Sequence, residues 1–330
     1  MHSMNDVQTF TDFVETLEIG HPATVSRLTL IPLMARARTR AQELPGYLLY
    51  QQAQDVGLIS IEEMSEAGTV GELRVHNRAS QPVLLVEGEI LLGMKQTRVL
   101  NLTILVPALT NLTVPVSCVE SGRWRATSAS ATGKSDIHLA PSIRATKTVT
   151  VARSMRTARS FASDQGAVWG GVDRVLDSHD VESPTSSYAD LVAEDSSRFM
   201  QVARAIERQP GQVGVIACSD GRVTCVDVFE SPQVLGALWD GLVASYQAEA
   251  IVSERKPAKP DKARSWFRSI ATGSANVGPE LGIGAHMTVV APNLEAAALV
   301  HDGRVLHLSA FPAHHDSAPT RFAPPARRRS

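Results

Sequence analysis

Two carboxylates interrupt an apolar run: Val83-Leu84-Leu85-Val86 is followed by Glu87-Gly88-Glu89 and then by Ile90-Leu91-Leu92. Read as a strand, the alternation of side chains puts Glu87 and Glu89 on one face with Val83, Leu85 and Leu91. Carboxylates on such a face are costly unless cations or donors meet them. The next segment supplies Lys95, Gln96, Arg98 and Asn101. A further run, 112–120, lines Val114, Val116, Cys118 and Glu120 on one face and ends in Ser121-Gly122-Arg123-Trp124. Gly122 permits a tight turn there, and Trp124 offers a stacking plane.

Three carboxylates (Glu87, Glu89, Glu120), three cations (Lys95, Arg98, Arg123), Gln96 and Trp124 are therefore expected to converge from neighbouring β-segments. The functional reading is a pocket. Lys95, Gln96, Arg98, Arg123 and Trp124 hold an anionic group, Glu87, Glu89 or Glu120 acts as acid or base, and Glu87 or Glu89 could instead ligate a metal. The structural reading is an ion-pair network that fixes strand register, or a solvated face. Residue types alone do not separate the two.

Other chemistry is poorly supported. His286, His301 and His307 lack His-Glu-x-x-His spacing, and no Cys-x-x-Cys pair exists, so no metal site is read. The glycine-rich stretches 273–278 and 282–284 are not Walker loops and do not run from a strand into a helix. No Gly-x-Ser-x-Gly elbow is present, and the sequence names no cofactor. Cys118, Cys218 and Cys225 give an odd count. A two-residue turn at Asp220-Gly221 sets Cys218 opposite Val223 and Cys225 opposite Ile216, out of register for a disulfide.

The elements that must position these groups fall into two regions. Residues 1–125 read as β-rich, with runs at 24–33, 46–50, 70–77, 82–92, 98–106 and 112–120, and one short helix at 61–66 capped by Ser60 and Glu63. Residues 126–148 are small and polar at their start and read as a flexible loop. Residues 149–315 read as helices and hairpins. Helical periodicity runs from Val149 to Leu176, from Tyr188 to Glu207 and from Ser231 to Ile251. Aspartate-glycine turns at 220–221 and 302–303 mark two hairpins that share Asp-Gly-Arg-Val. A diverged repeat and coincidence explain that match equally well. Residues 316–330, rich in Pro and Arg, read as a disordered tail. The fold class predicted is α+β: a mostly antiparallel β-region, sandwich-like or a curled sheet, packed with a helix-and-hairpin region.

The whole-chain balance excludes several classes. In 330 residues, 32 basic side chains meet 34 acidic ones, a formal charge of −2, which argues against nucleic acid as a partner. No apolar run approaches the ~20 residues of a membrane-spanning helix, and the acidic start lacks an export signal. A cytoplasmic location is expected by default.

The segments Val70-Gly71-Glu72-Leu73-Arg74-Val75-His76-Asn77, 82–89, Gly93-Met94-Lys95-Gln96-Thr97-Arg98-Val99-Leu100 and 114–124 together resemble the ARG- and rhodanese-phosphatase-superfamily-associated protein domain family. Later stretches agree: 165–169, Ser183-Pro184-Thr185, 229–246 and 305–308. One departure is Ser121, where the family pattern leads one to expect Gln. The resemblance implies a link to NAD or ADP-ribose metabolism by association and carries over no catalytic residue. The expected function is binding of an anionic, nucleotide-like small molecule, with hydrolysis an open option. The alternative is a non-catalytic adaptor with a protein partner, whose charged cluster is architectural.

Overall fold

The computed structural model describes residues 2–35, 45–65, 68–128, 130–249 and 260–313, and it is an α+β fold. Its largest layer is an antiparallel sheet of nine strands: β1 (Glu18–Ile19), β2 (Ala23–Val25), β3 (Leu28–Met34), β13 (Gln212–Ser219), β14 (Arg222–Phe229), β15 (Ser274–Val277), β16 (Ala285–Ala291), β17 (Leu294–His301) and β18 (Arg304–Pro312). They lie in the order β1-β3-β13-β14-β18-β17-β16-β15, with β2 hung on β3. Strand alternation gives this sheet two buried faces. One packs against α1 (His2–Thr16) and α7 (Pro260–Arg268) through Phe10, Val14, Phe267, Val226, Leu308 and their neighbours. The other packs against α3 (Pro141–Ala158) and α6 (Pro232–Glu249), and the same apolar core takes in α4 (Gln165–Ser178) against α3 and α5 (Tyr188–Arg204) against α6.

The remaining strands form a smaller β-unit. β5 (Ile59–Glu63), β6 (Glu72–Asn77), β8 (Ile90–Gly93), β9 (Arg98–Leu100), β11 (Thr110–Cys118) and β12 (Ala131–Lys134) pair in the order β12-β8-β9-β11-β6-β5. A bridge from Glu62 to Ser130 nearly closes this sheet on itself. Beside it lie β4 (Leu48–Leu49), β7 (Val83–Leu85) and β10 (Ile104–Val106), with β7 central, and α2 (Tyr50–Asp55) leads out of β4. Side chains from all of these fill one apolar core, including Ile61, Val75, Leu91, Leu100 and Val116.

Both aspartate-glycine turns have the expected geometry, with Asp220, Gly221, Asp302 and Gly303 all at positive φ. The two hairpins are neighbours, because β14 pairs with β18. A register shift between Ala217 and Cys218 corrects one detail: Cys218 does face Val223, but Cys225 faces Ala217. All three thiols are buried and unbridged.

Four local expectations are overturned. Residues 59–63 form β5 rather than a helix at 61–66, because Ile59 and Ile61 alternate into the barrel core. The stretch read as a loop, 126–148, contains β12 and the start of α3, and Ile137, Leu139 and Ala140 within it are buried. Pro141 opens α3, a position where its missing N–H costs nothing, eight residues before the apolar periodicity becomes visible. The periodicity from Val149 to Leu176 is two helices, α3 and α4, separated at Arg159, which sits in the left-handed region. The apolar run 82–92 is two strands, since Gly88 turns the chain at φ +87°. The tail expected at 316–330 lies outside the described residues, in which no helix is long and apolar enough to cross a membrane.

Candidate functional site

The turn at Gly88 separates what parity was expected to unite. Glu87 and Glu89 are both buried, but they point to different partners. Glu89 folds back over its own turn, accepting from the Val86 N–H at 2.9 Å and pairing with Lys134 at 3.2 Å. Glu87 reaches out of the barrel to α3. Lys147 Nζ lies 2.5 Å from its Oε1, and Arg144 Nε donates to its Oε2 at 2.9 Å.

Arg144 then links this carboxylate to the large sheet. Its two terminal nitrogens grip Asp227 of β14 bidentately, at 3.0 and 2.6 Å. Asp227 also accepts from the Tyr246 hydroxyl of α6 at 2.5 Å and from His307 Nε2 of β18 at 3.3 Å. His307 Nδ1 lies 2.6 Å from the Thr103 hydroxyl, which accepts the Glu87 N–H at 3.0 Å. A Thr103 hydroxyl that accepts from Glu87 and donates to Nδ1 leaves the Nε2 proton for Asp227. Two carboxylates and two cations thus balance in a chain that ties the barrel to α3, α6 and the sheet.

All of these side chains are essentially inaccessible: Arg144, Lys147 and Asp227 are 0% exposed and Glu87 2%. Burial pushes the Glu87 carboxyl up, but the charges of Arg144 and Lys147 outweigh it and hold the group below its usual range. Asp227 is likewise lowered, with Arg144 and His307 overcoming burial. Burial lowers Lys147, with Glu87 opposing that effect. The adjoining cavity, lined by Glu87, Asn101, Thr103, Thr148, His286 and His307, measures about 20 Å³. It has room for one water and none for an organic ligand.

A second cluster lies at the other side of the barrel, and it gathers Glu120, Arg123, Trp124, Lys95, Gln96 and Arg98 without Glu87 or Glu89. Glu120 follows β11 and is embraced by Arg123, whose Nε and Nη2 donate at 2.7 and 2.6 Å. Thr97 N and Oγ1, at 2.9 and 3.1 Å, and Thr185 Oγ1, at 3.0 Å, complete its shell. Burial raises the Glu120 carboxyl, and these donors, Arg123 first, overcome it and set the pKa below the usual range. The Arg123 Nη1 donates to the carbonyls of Met94 and Arg125 at 2.9 Å each. The turn is also pinned from behind, because Ser121 and Gly122 N–H groups both donate to the Thr185 carbonyl. A Cβ on Gly122 would come within 2.9 Å of Thr185 Cα, so only glycine fits.

This turn presents Trp124, 46% exposed. Arg98 Cζ lies 5.4 Å and Lys95 Nζ 5.6 Å from its ring centre, within cation–π range. Arg98 itself is fully buried. It donates to Gln96 Oε1 at 2.8 Å, to Thr69 O at 3.3 Å and to Cys118 Sγ, and it sits 3.6 Å from Glu63. Its Nε and the Glu63 Oε2 are buried without a hydrogen-bond partner. Burial pushes the Cys118 thiol up to about 11, Arg98 opposing, so it is no nucleophile at neutral pH.

Sequence reasoning missed Arg144, Lys147, Asp227 and Tyr246 in the first cluster, and Thr97 and Thr185 in the second. Pro141 was the available signal for α3. Ser183-Pro184-Thr185 belonged to the resemblance but had no role assigned. Among the described residues, no group of three or more His, Cys, Asp or Glu is arranged to hold a metal ion.

Residues 16–311 match the family model described as the ARG and Rhodanese-Phosphatase-superfamily-associated Protein domain, nearly the full length of the 330-residue sequence. The chain belongs to this family. Both clusters fall inside the matched range, so they are features of the domain itself. No curated protein and no solved structure is detectably similar to the chain.

Proposed function

We propose that this domain binds a small anionic molecule with a flat, nucleotide-like ring on the Trp124 face. In this reading Lys95 and Arg98 supply positive potential, and the Glu120–Arg123–Thr185 set holds the turn that carries the indole. The observation that carries it is Trp124: a large aromatic ring left half open to solvent, on a braced turn, against two cations. Indole faces in such surroundings stack on planar groups, and the charges of Lys95 and Arg98 beside the ring favour an anion there. The Glu87 lattice receives a different role, that of a brace between the barrel and the large sheet, and no acid or base is assigned to it. Three buried, unbridged thiols suit a reducing, cytoplasmic setting.

The test is a titration with ADP-ribose, NAD and inorganic pyrophosphate, followed by indole fluorescence and by calorimetry. Stacking on an aromatic side chain is worth ~1–3 kcal/mol per base. Trp124→Ala should therefore weaken binding by roughly 5- to 150-fold without shifting the melting midpoint. A second reading, an adaptor for a protein partner, draws on Val70. It is 45% exposed, and its backbone lies against the Cys118 thiol beside Arg98. Silence toward all three small molecules would favour that reading over the first.

A further inference from the structure

Beneath α3, strand register lays out a row of four residues across the large sheet. Asp227 of β14 pairs with Ser309 of β18, Ser309 with Ala297 of β17, and Ala297 with Thr288 of β16. Residues paired directly across a sheet share a face, so all four side chains rise on the side that α3 covers. Arg144 fills the space over Asp227. Further along the row Ala297 supplies only a methyl group. The cavity of about 20 Å³ is lined there by Ala297, Ser309 and Thr288 from the sheet and by Thr148 from α3.

Two of these side chains are short of a partner. Thr148 and Thr288 are 3% and 2% exposed, and neither hydroxyl has a hydrogen-bond partner among the described residues. Thr148 differs in this from its helix neighbours. Thr146 donates to the Ser142 carbonyl and Thr150 to the Thr146 carbonyl, at 3.1 Å each, a common refuge for a threonine hydroxyl within a helix. Other polar groups bordering the cavity are already engaged. Lys147 and Arg144 take the Glu87 oxygens, and Thr103 and Asp227 take the two His307 nitrogens. An unpaired buried hydroxyl is costly, whereas a space above about 10–15 Å³ with two or more polar partners holds a water.

We infer that one internal water resides in this cavity and hydrogen-bonds to both Thr148 Oγ1 and Thr288 Oγ1, joining α3 to β16. Each hydroxyl can donate or accept, so a single water satisfies both. The tie falls three strands from the Arg144–Asp227 anchor, because the sheet runs β14-β18-β17-β16. The helix is thereby fixed to the sheet at two separated points, one ionic and one through solvent. This site stands apart from the Trp124 face and does not depend on any ligand there.

The test is Thr148→Val, Thr288→Val and the double variant in the full chain, since valine keeps the shape and removes the hydroxyl. With the water in place, each single variant costs it a partner and should lower the melting midpoint by roughly 2–4 °C. The double variant leaves neither threonine hydroxyl to strand, and should lose less than the two single losses combined. It should also show one fewer long-lived internal water by oxygen-17 relaxation dispersion. A dry cavity predicts the reverse: each substitution removes an unpaired hydroxyl and raises the midpoint, and the gains add. Should one single variant fail to fold, the sign of the other's shift decides. Single variants with a raised or unmoved midpoint, losses that add in full, or an unchanged count of long-lived waters would overturn the assignment.

Discussion

Glu87 shows why identical residue types read so differently in place. Its carboxylate is anchored by Arg144 and Lys147 in a space sealed from bulk water, where one missing partner strands the rest. Removing one member of a buried ion pair costs ~3–5 kcal/mol, because the other charge remains without compensation. Glu87→Gln keeps the size and loses the charge that balances Lys147. It should therefore lower the melting midpoint markedly while leaving the affinity of the folded protein for a ligand on Trp124 unchanged. The measurement is a melting curve alongside a binding titration on the same preparation. The partners of Glu87 were illegible in the sequence for a physical reason: Arg144 and Lys147 lie 57 and 60 positions away, and only the tertiary fold brings them together. The Arg123–Glu120 pair, three residues apart on one turn, was legible because local geometry forces the contact.

At the scale of elements, the turns decide where side chains go. The aspartate-glycine hairpins were readable because their chemistry demands positive φ at both central residues. The Glu87-Gly88-Glu89 turn was not, since its flanks alternate like one continuous strand and nothing local announces the glycine as a corner. In place, Gly88 combines φ +87° with an Arg144 Nε that would lie 2.9 Å from an added Cβ. Arg144 cannot yield, being held by two carboxylates. Gly88→Ala should then cost on the order of 1–3 kcal/mol or more of stability. Gly133→Ala in β12 meets only Gln54 Nε2 at 3.9 Å and should be nearly neutral. Chemical denaturation of the two variants side by side checks this. Equal losses would mean that the corner is less constrained than its geometry says. The α3 helix gives the complementary lesson: its buried face carries Arg144, Lys147 and Thr148 before Val151, so the charged half of the stripe hid the helix start.

For the whole molecule, the brace makes stability depend on pH in a definite direction. Glu87, Asp227 and Glu120 are held below their usual range, so they bind protons more readily when unfolded. Their contribution is present above the unfolded carboxylate pKa of about 4 and is lost as the pH falls below it. His138 and His286 add an earlier limb. Burial lowers both, so below about 6.5 the unfolded chain takes up protons that the folded one refuses. Unfolding free energy measured by urea melts should be flat near neutrality, decline gently below about pH 6.5 and steeply below about pH 4. His138→Asn should flatten the first limb, and Asp227→Asn the second. The α+β class was readable from periodicity, whereas the sharing of one sheet by β1–β3 and β13–β18 was not. The near-closure of the barrel and the nine-strand order were not, because strand pairing across more than a hundred residues leaves no local pattern.

The central claim is that the charged residues of this domain divide into a sealed brace around Glu87 and an exposed binding face around Trp124. The direct test is one calorimetric titration of ADP-ribose into wild type, Glu87→Gln and Trp124→Ala, with a melting midpoint recorded for each. The division predicts that Trp124→Ala loses affinity at an unchanged midpoint, and that Glu87→Gln loses midpoint at an unchanged affinity. Binding abolished by Glu87→Gln at an unchanged midpoint, with Trp124→Ala indistinguishable from wild type, would contradict it.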